Sequence, residues 1–203
     1  MSVFLLFRIP IIAMTDPHSQ FIKRVAAMFA CALLVGCGEQ QADRSTPQTH
    51  QTGGIIFEYP KNWTVSEPLS IPNNSFVIVE SPGNALAILQ AGPKEIMPSL
   101  ADHAKEFTAN AEGEMPMGKI TSGELVPLPQ AHGYDWLSQD FVIHLMGQAV
   151  PHRRLYGSKD IGDRRVILLF QVANEDATRT TPGFDLLRDS LRAADKAIPK
   201  PNP

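Results

Sequence analysis

The stretch Val166-Ile167-Leu168-Leu169-Phe170, written VILLF, is apolar at every position. A strand with one face in water alternates polar and apolar residues, so an unbroken run of this kind implies a strand covered on both sides. The run therefore points to a sheet sandwiched between other layers. It lies inside a longer expected strand, Arg165 to Val172.

Moving back along the chain, Val150 to Gly157, Tyr134 to Met146 and Lys119 to Val126 also have strand composition. Gly147-Gln148 and Ile161-Gly162 stand where two-residue hairpin turns are wanted, which makes these neighbours antiparallel. Earlier still, Phe76 to Glu80 (FVIVE) and Ala85 to Gln90 (ALAILQ) are β-rich and flank the turn composition Ser81-Pro82-Gly83-Asn84. Gly54 to Tyr59 reads as a strand stopped by Pro60, and Asn62-Trp63-Thr64-Val65 starts the return.

The covering layers are helices. Ser99 is placed to cap a helix with Asp102 reaching back, and Leu100, Ala104, Phe107 and Ala111 form one apolar face. Thr181-Pro182 reads as an N-cap followed by proline in the first turn, and Phe184, Leu187, Leu191 and Ala194 follow at helical spacing. The fold class expected is α+β, an antiparallel sheet flanked by helices on both faces.

Outside that body, the chain starts with a leader. Phe21 to Cys37 (FIKRVAAMFACALLVGC) has a basic start, an apolar core from Val25 to Val35 and small residues at its end, the layout of a secretory signal peptide. The core is too short to span a bilayer, which takes about 20 such residues. Leu34-Val35-Gly36-Cys37 resembles a bacterial lipobox. That resemblance implies cleavage between Gly36 and Cys37, with lipid attached to the Cys37 thiol. One acyl chain holds a protein only marginally, whereas two or more make the anchoring durable. Gly38 in place of Asp after the cysteine resembles an outer-membrane address more than inner-membrane retention. Residues 1–13 precede a second candidate start at Met14 and read as a misassigned start.

The organisation expected is thus a signal peptide over 1–36, a lipidated cysteine and flexible tether over 37–53, a globular domain over 54–195 and a Pro-rich, disordered tail over 196–203. Cys31 leaves with the leader, so no internal disulfide is expected. The chain carries a net charge of −3, and loss of Arg8, Lys23, Arg24 and Asp16 with the leader leaves 15 basic against 20 acidic residues. A mildly acidic body gives no electrostatic reason to expect nucleic acid as a partner.

The sequence holds no Gly-x-Ser-x-Gly elbow, and Gly157-Ser158-Lys159 reads as part of a hairpin rather than a strand-to-helix turn, so no serine nucleophile is visible. His144 and His152 are the close histidine pair of the body, and hairpin alternation sends them to opposite faces, so no metal and no cofactor are expected. Arg153 and Arg154, with Arg164-Arg165 on the next strand, are either a solvated sheet edge or a site for an anionic partner. Trp63 reads as a core plug. In Tyr134 to Met146 the odd positions form the more apolar face and leave Trp136, Asp140 and His144 on the other, which is either helix-covered or an exposed patch. The candidate partner surface is therefore Trp136, His144, Arg153 and Arg154.

Phe57-Glu58-Tyr59-Pro60-Lys61-Asn62-Trp63, Ser99-Leu100, Gly133 at the entry of the long meander and Leu186-Leu187-Arg188-Asp189-Ser190-Leu191 together resemble the PsbP/DcrB-type α/β/α sandwich family across nearly the whole domain. The resemblance implies a binding or assembly role without family-wide catalytic residues. The expectation is a non-catalytic, periplasm-facing envelope module, held to the membrane by acyl chains on Cys37 and partnered by another envelope protein. The alternatives are a small-ligand carrier using a cleft between sheet and helix, and a hydrolase with a dispersed site.

Overall fold

The structure, a computed structural model, describes residues 39–66, 69–71, 74–113 and 118–194. The leader, Gly36, Cys37 and the tail from 196 onward lie outside the described residues.

The elements run in the order β1 (Gln48–Thr52), β2 (Ile55–Tyr59), β3 (Thr64–Val65), β4 (Leu69–Ile71), β5 (Asn74–Glu80), β6 (Leu86–Pro93), α1 (Leu100–Gly113), β7 (Gly118–Ser122), β8 (Val126–Ala131), β9 (Tyr134–Leu145), β10 (Gln148–Ile161), β11 (Arg164–Ala173), α2 (Ala177–Ser190) and β12 (Arg192–Ala193). The main sheet is ordered β3-β5-β6-β11-β10-β9-β7, with β4 beside β5 and β8 beside β9, and every pairing is antiparallel. A second, three-stranded sheet has the order β1-β2-β12.

The VILLF run sits at the middle of this order, on β11 between β6 and β10. Val166, Leu168 and Phe170 join a core with Phe184, Leu187 and Leu191 of the α2 segment and with Ile55 and Phe57 of the small sheet. On the other face, Leu169 packs with Leu100, Ala104 and Phe107 of α1. The chain is therefore an antiparallel sheet with a helix on each face. Ser99 caps α1 as its sequence suggests: Asp102 N–H donates to Ser99 Oγ at 3.1 Å, and the hydroxyl donates to the Asp102 carboxylate at 2.6 Å.

Four expectations are corrected. Residues 39–53 are no tether, because Glu39 and Ala42 are buried, Ala42 N–H donates to Arg179 O, and β1 pairs with β2 through Gly53-Gly54. Both glycines adopt positive φ, 54° and 77°, which a two-residue primed turn requires. Polar composition failed as a guide here because the segment is held by contacts with distant parts of the chain.

The β9–β10 turn is Met146-Gly147 and the β10–β11 turn Gly162-Asp163, so the pairings slide by two residues: His144 faces Ala149, and Arg165 faces Asp160. Met146 and Gly147 have φ of 50° and 81°, so glycine takes the second turn position rather than the first. A slide of two preserves the faces, and His144 and His152 do lie on opposite sides of the sheet. The expected Lys119–Val126 strand is two strands, β7 and β8, which pair with opposite halves of β9.

Finally, α2 begins at Ala177, so Thr181-Pro182 is not its cap and Pro182 lies inside the helix. The hydroxyls of Thr180 and Thr181 donate to carbonyls of the preceding turn, and packing of Phe184 and Leu187 outweighs the backbone bond that Pro182 cannot make. The helix ends at Ser190, and Ala194 falls beyond β12.

Candidate binding site

The face of the sheet beneath α1 carries a polar row at the even positions of β10. His152, Arg154 and Tyr156 are each at most 1% exposed. Arg154 is the unusual member. Its Nε donates to Gln171 Oε1 at 2.7 Å and its Nη1 to Gln139 Oε1 at 3.4 Å, so its hydrogen bonds end on amide carbonyls rather than on a carboxylate. The guanidinium carbon lies 3.9 Å from the centre of the Phe141 ring and 5.2 Å from that of Phe107, which places the cation against two aromatic faces. Gln139 Oε1 also accepts from Thr108 Oγ1 of α1 at 3.0 Å and from the Tyr156 hydroxyl at 3.3 Å. Burial shifts the Arg154 pKa down and the Tyr156 pKa up, each resisting the charged form.

Phe141 also touches His152, with ring centres 5.1 Å apart. The carbonyl of Val150, 2.9 Å from His152 Nδ1, can only accept, so Nδ1 carries the proton and Nε2 the lone pair of the neutral ring. Burial lowers the pKa of this imidazole, favouring that neutral form.

Beyond His152 the row opens. A cleft of about 270 Å³ is floored by Ile143, Leu145, Val150, His152 and Ala173 and rimmed by Asn84, Met146, Gln148 and Glu175. A wider, shallower hollow shares Gln148, Val150 and Glu175 with it. The cleft therefore lies at one end of the sheet, where the β5–β6 turn, the β9–β10 hairpin and the exit of β11 converge. Its apolar floor and few polar groups suit recognition of a partly apolar ligand or side chain.

The residues singled out from sequence are not brought together. Trp136 is buried on the α2 face, 5.2 Å from Tyr134 and 6.3 Å from Phe170 by ring centres, and Arg154 is buried on the opposite face. Both are thus corrected as members of a partner surface. His144 and Arg153 are exposed, and Arg153 Nε donates to Asp140 at 2.7 Å across the β9–β10 pair. Trp63 is a core plug as read, 2% exposed and edge-on to Phe184. Of the cleft residues, only His152 stands in the sequence as a candidate for chemistry; Asn84, Met146, Gln148 and Val150 read as turn or strand residues. The others come from three separate segments and leave no local pattern to find.

An edge-strand route for a partner is disfavoured at β8. Val126 and Leu128 are exposed there, but Pro127 and Pro129 lack the N–H groups that an added strand would need.

The class defined by these observations is an α/β/α sandwich with a cleft at one end of its sheet. No protein-family model matches the chain, and no curated protein matches it. Among solved structures it is similar to cyanobacterial PsbP (CyanoP) from Synechocystis sp. PCC 6803, with 13% identity over 80% of this chain and 99% of that one, at a TM-score of 0.48. It is also similar to LpqN, involved in cell envelope biogenesis of Mycobacterium tuberculosis, with 14% identity over 72% and 88% of the two chains and a TM-score of 0.38. A third is PA94, a protein of unknown function from Pseudomonas aeruginosa, with 14% identity over 77% and 99% and a TM-score of 0.35. Overlays this loose assign neither a family nor an activity.

Proposed function

We propose that the chain is a lipid-anchored, periplasm-facing protein of the bacterial cell envelope that works by binding or assembly rather than by catalysis. The observation that carries this reading is the sequence Leu34-Val35-Gly36-Cys37 at the end of a basic and then apolar leader. Glu39, two residues after the lipobox cysteine, is buried against the β5–β6 turn, which would hold the body close to an acylated Cys37. Among the described residues no helix is long and apolar enough to cross a membrane, and acyl chains on Cys37 would hold the body to the bilayer instead. Gly38 favours the outer membrane in this reading.

A binding role is supported by the way the buried polar groups are used. Arg154, Gln139, Tyr156 and Thr108 bond to one another beneath α1, and His152 Nδ1 is engaged by Val150. The terminal cleft is the surface offered to another envelope protein. A second reading, a small-ligand carrier, is favoured by the apolar floor of that same cleft. At about 270 Å³ it is at the small end for holding a ligand by itself.

The test combines intact-mass analysis of the protein extracted from native membranes with photocrosslinking from position 148 on the cleft rim. The expected result is an acylated Cys37 at the N-terminus and one specific envelope protein crosslinked. A bare thiol at position 37 or an uncleaved leader overturns the anchoring. A small molecule retained in native mass spectra, with no protein crosslinked, replaces the assembly role by the carrier role.

A further inference from the structure

Glu39 is fixed at one end of the sheet. Its Oε2 accepts from Ser81 Oγ at 2.7 Å, from the Asn84 backbone N–H at 3.0 Å and from that of Ala85 at 3.3 Å. Only Gly38 separates it from Cys37. Each residue spans at most about 3.6 Å, so the cysteine Cα lies within about 7 Å of the Glu39 Cα. A body on so short a leash cannot turn freely above the bilayer. Asn84, bonded to Glu39, also rims the cleft together with Met146, which puts the β9–β10 hairpin tip at the anchored end.

That tip breaks local rules. The first position of a primed two-residue turn favours Gly, Asn or Asp, because φ is positive there. Met146 occupies it at φ 50° with 84% of its surface exposed, the most exposed large apolar residue among those described. An unbranched thioether held out at a strained position is poorly placed in water and well placed at a lipid interface.

We propose that this end of the sheet faces the membrane and that Met146 enters the bilayer interface beside the acyl chains. The inference rests on the lipid-anchored reading. The commitment is to a lipid surface, because the mature chain is net acidic and only Gly38 stands between Cys37 and the fixed Glu39, so position and apolarity rather than charge bring the tip to the membrane.

The matched control is Ile96, which is 65% exposed and lies at the opposite end, beside the β10–β11 turn, where Lys94 N–H donates to Asp163 O. With Cys31 removed and Cys37 acylated, a cysteine introduced by Met146→Cys or Ile96→Cys is the sole free thiol for a fluorophore. The full chain is matured in a bacterial host, extracted and reconstituted into phosphatidylcholine vesicles containing brominated acyl chains.

The fluorophore at 146 is expected to be quenched about threefold more than that at 96. A flexible Gly-Ser spacer of about ten residues between Gly38 and Glu39 is expected to erase the difference. Equal quenching at the two ends, with Cys37 shown by mass to be acylated, overturns the orientation and leaves the anchor standing. Unequal quenching that survives the spacer overturns the short leash as its cause. A bare thiol at position 37 overturns both.

Discussion

The two faces of the sheet are built on opposite terms. Towards α2, Trp63, Phe184, Phe170, Trp136 and Tyr134 follow one another ring against ring, with Phe170 stacked on Phe184 at 4.6 Å between centres. Gly183 and Gly157 make room for the two indoles, since a Cβ at either would stand 2.6 Å from the ring. Towards α1, the contact is made by Ala104 and Phe107 over a sheet surface that includes Arg154, Tyr156, Gln139 and Gln171. The first face is an apolar packing problem. The second keeps a cation and its hydrogen-bond partners in the interior, a costly arrangement unless every group is satisfied. The comparison separates the face that stabilises the fold from the face that ends in the cleft.

The largest effect should come from the aromatic face. Trp63→Ala removes a ring that contacts Phe184 and leaves a void that Gly183 cannot fill. A loss of about 3–5 kcal/mol is expected from the transfer and cavity terms together, read as a shift in the urea midpoint. A loss below about 1 kcal/mol would mean that the two faces are not divided as described.

The α1 face should respond differently because its cost is one of satisfaction rather than volume. Arg154→Met keeps much of the packing on Phe141 and Phe107 but strips Gln171 Oε1 of its donor. A loss of about 1–3 kcal/mol is expected, the usual penalty for an unpaired buried polar group. Adding Gln171→Leu removes the orphan, and the double variant should recover most of that loss in a double-mutant cycle. A strictly additive pair would show that the row is a set of independent contacts and not one network.

How much of this division was legible depended on the range of the forces involved. VILLF announced a strand covered on both sides, and Ser99 with Asp102 announced the start of α1, because both signals are local and periodic. The Gly53-Gly54 pair was a readable primed-turn signal, and it outranked the polar composition around it. Glu39 was not legible, since its burial depends on Ser81, Asn84 and Ala85 more than forty residues away. Arg154 was misplaced for a related reason. Alternation on β10 assigns it to a face, but nothing nearby says that α1 covers that face. The cleft is the extreme case, assembled from segments whose only relation is spatial.

The smallest effect sharpens the comparison without touching packing. Among the described residues, both histidines whose pKa is lowered by burial lie on the α1 side: His152 on β10, and His103 on α1, which is pushed down from 6.5 to about 4. An imidazole that is harder to protonate in the folded chain takes its proton first in the unfolded one. Stability is therefore retained above about pH 6.5 and falls as the pH drops towards 4. For His103 a loss of about 1 kcal/mol between pH 7 and pH 5 is expected, allowing for its partial exposure. The check is the urea midpoint followed over that range in the parent and in His103→Asn. The variant should show a flatter profile, while Trp63→Ala, which leaves both histidines in place, should keep the parent slope at a lower midpoint. If the His103→Asn profile keeps the full slope, the acid sensitivity belongs elsewhere, and the α1 face loses its distinction as the one that responds to protons.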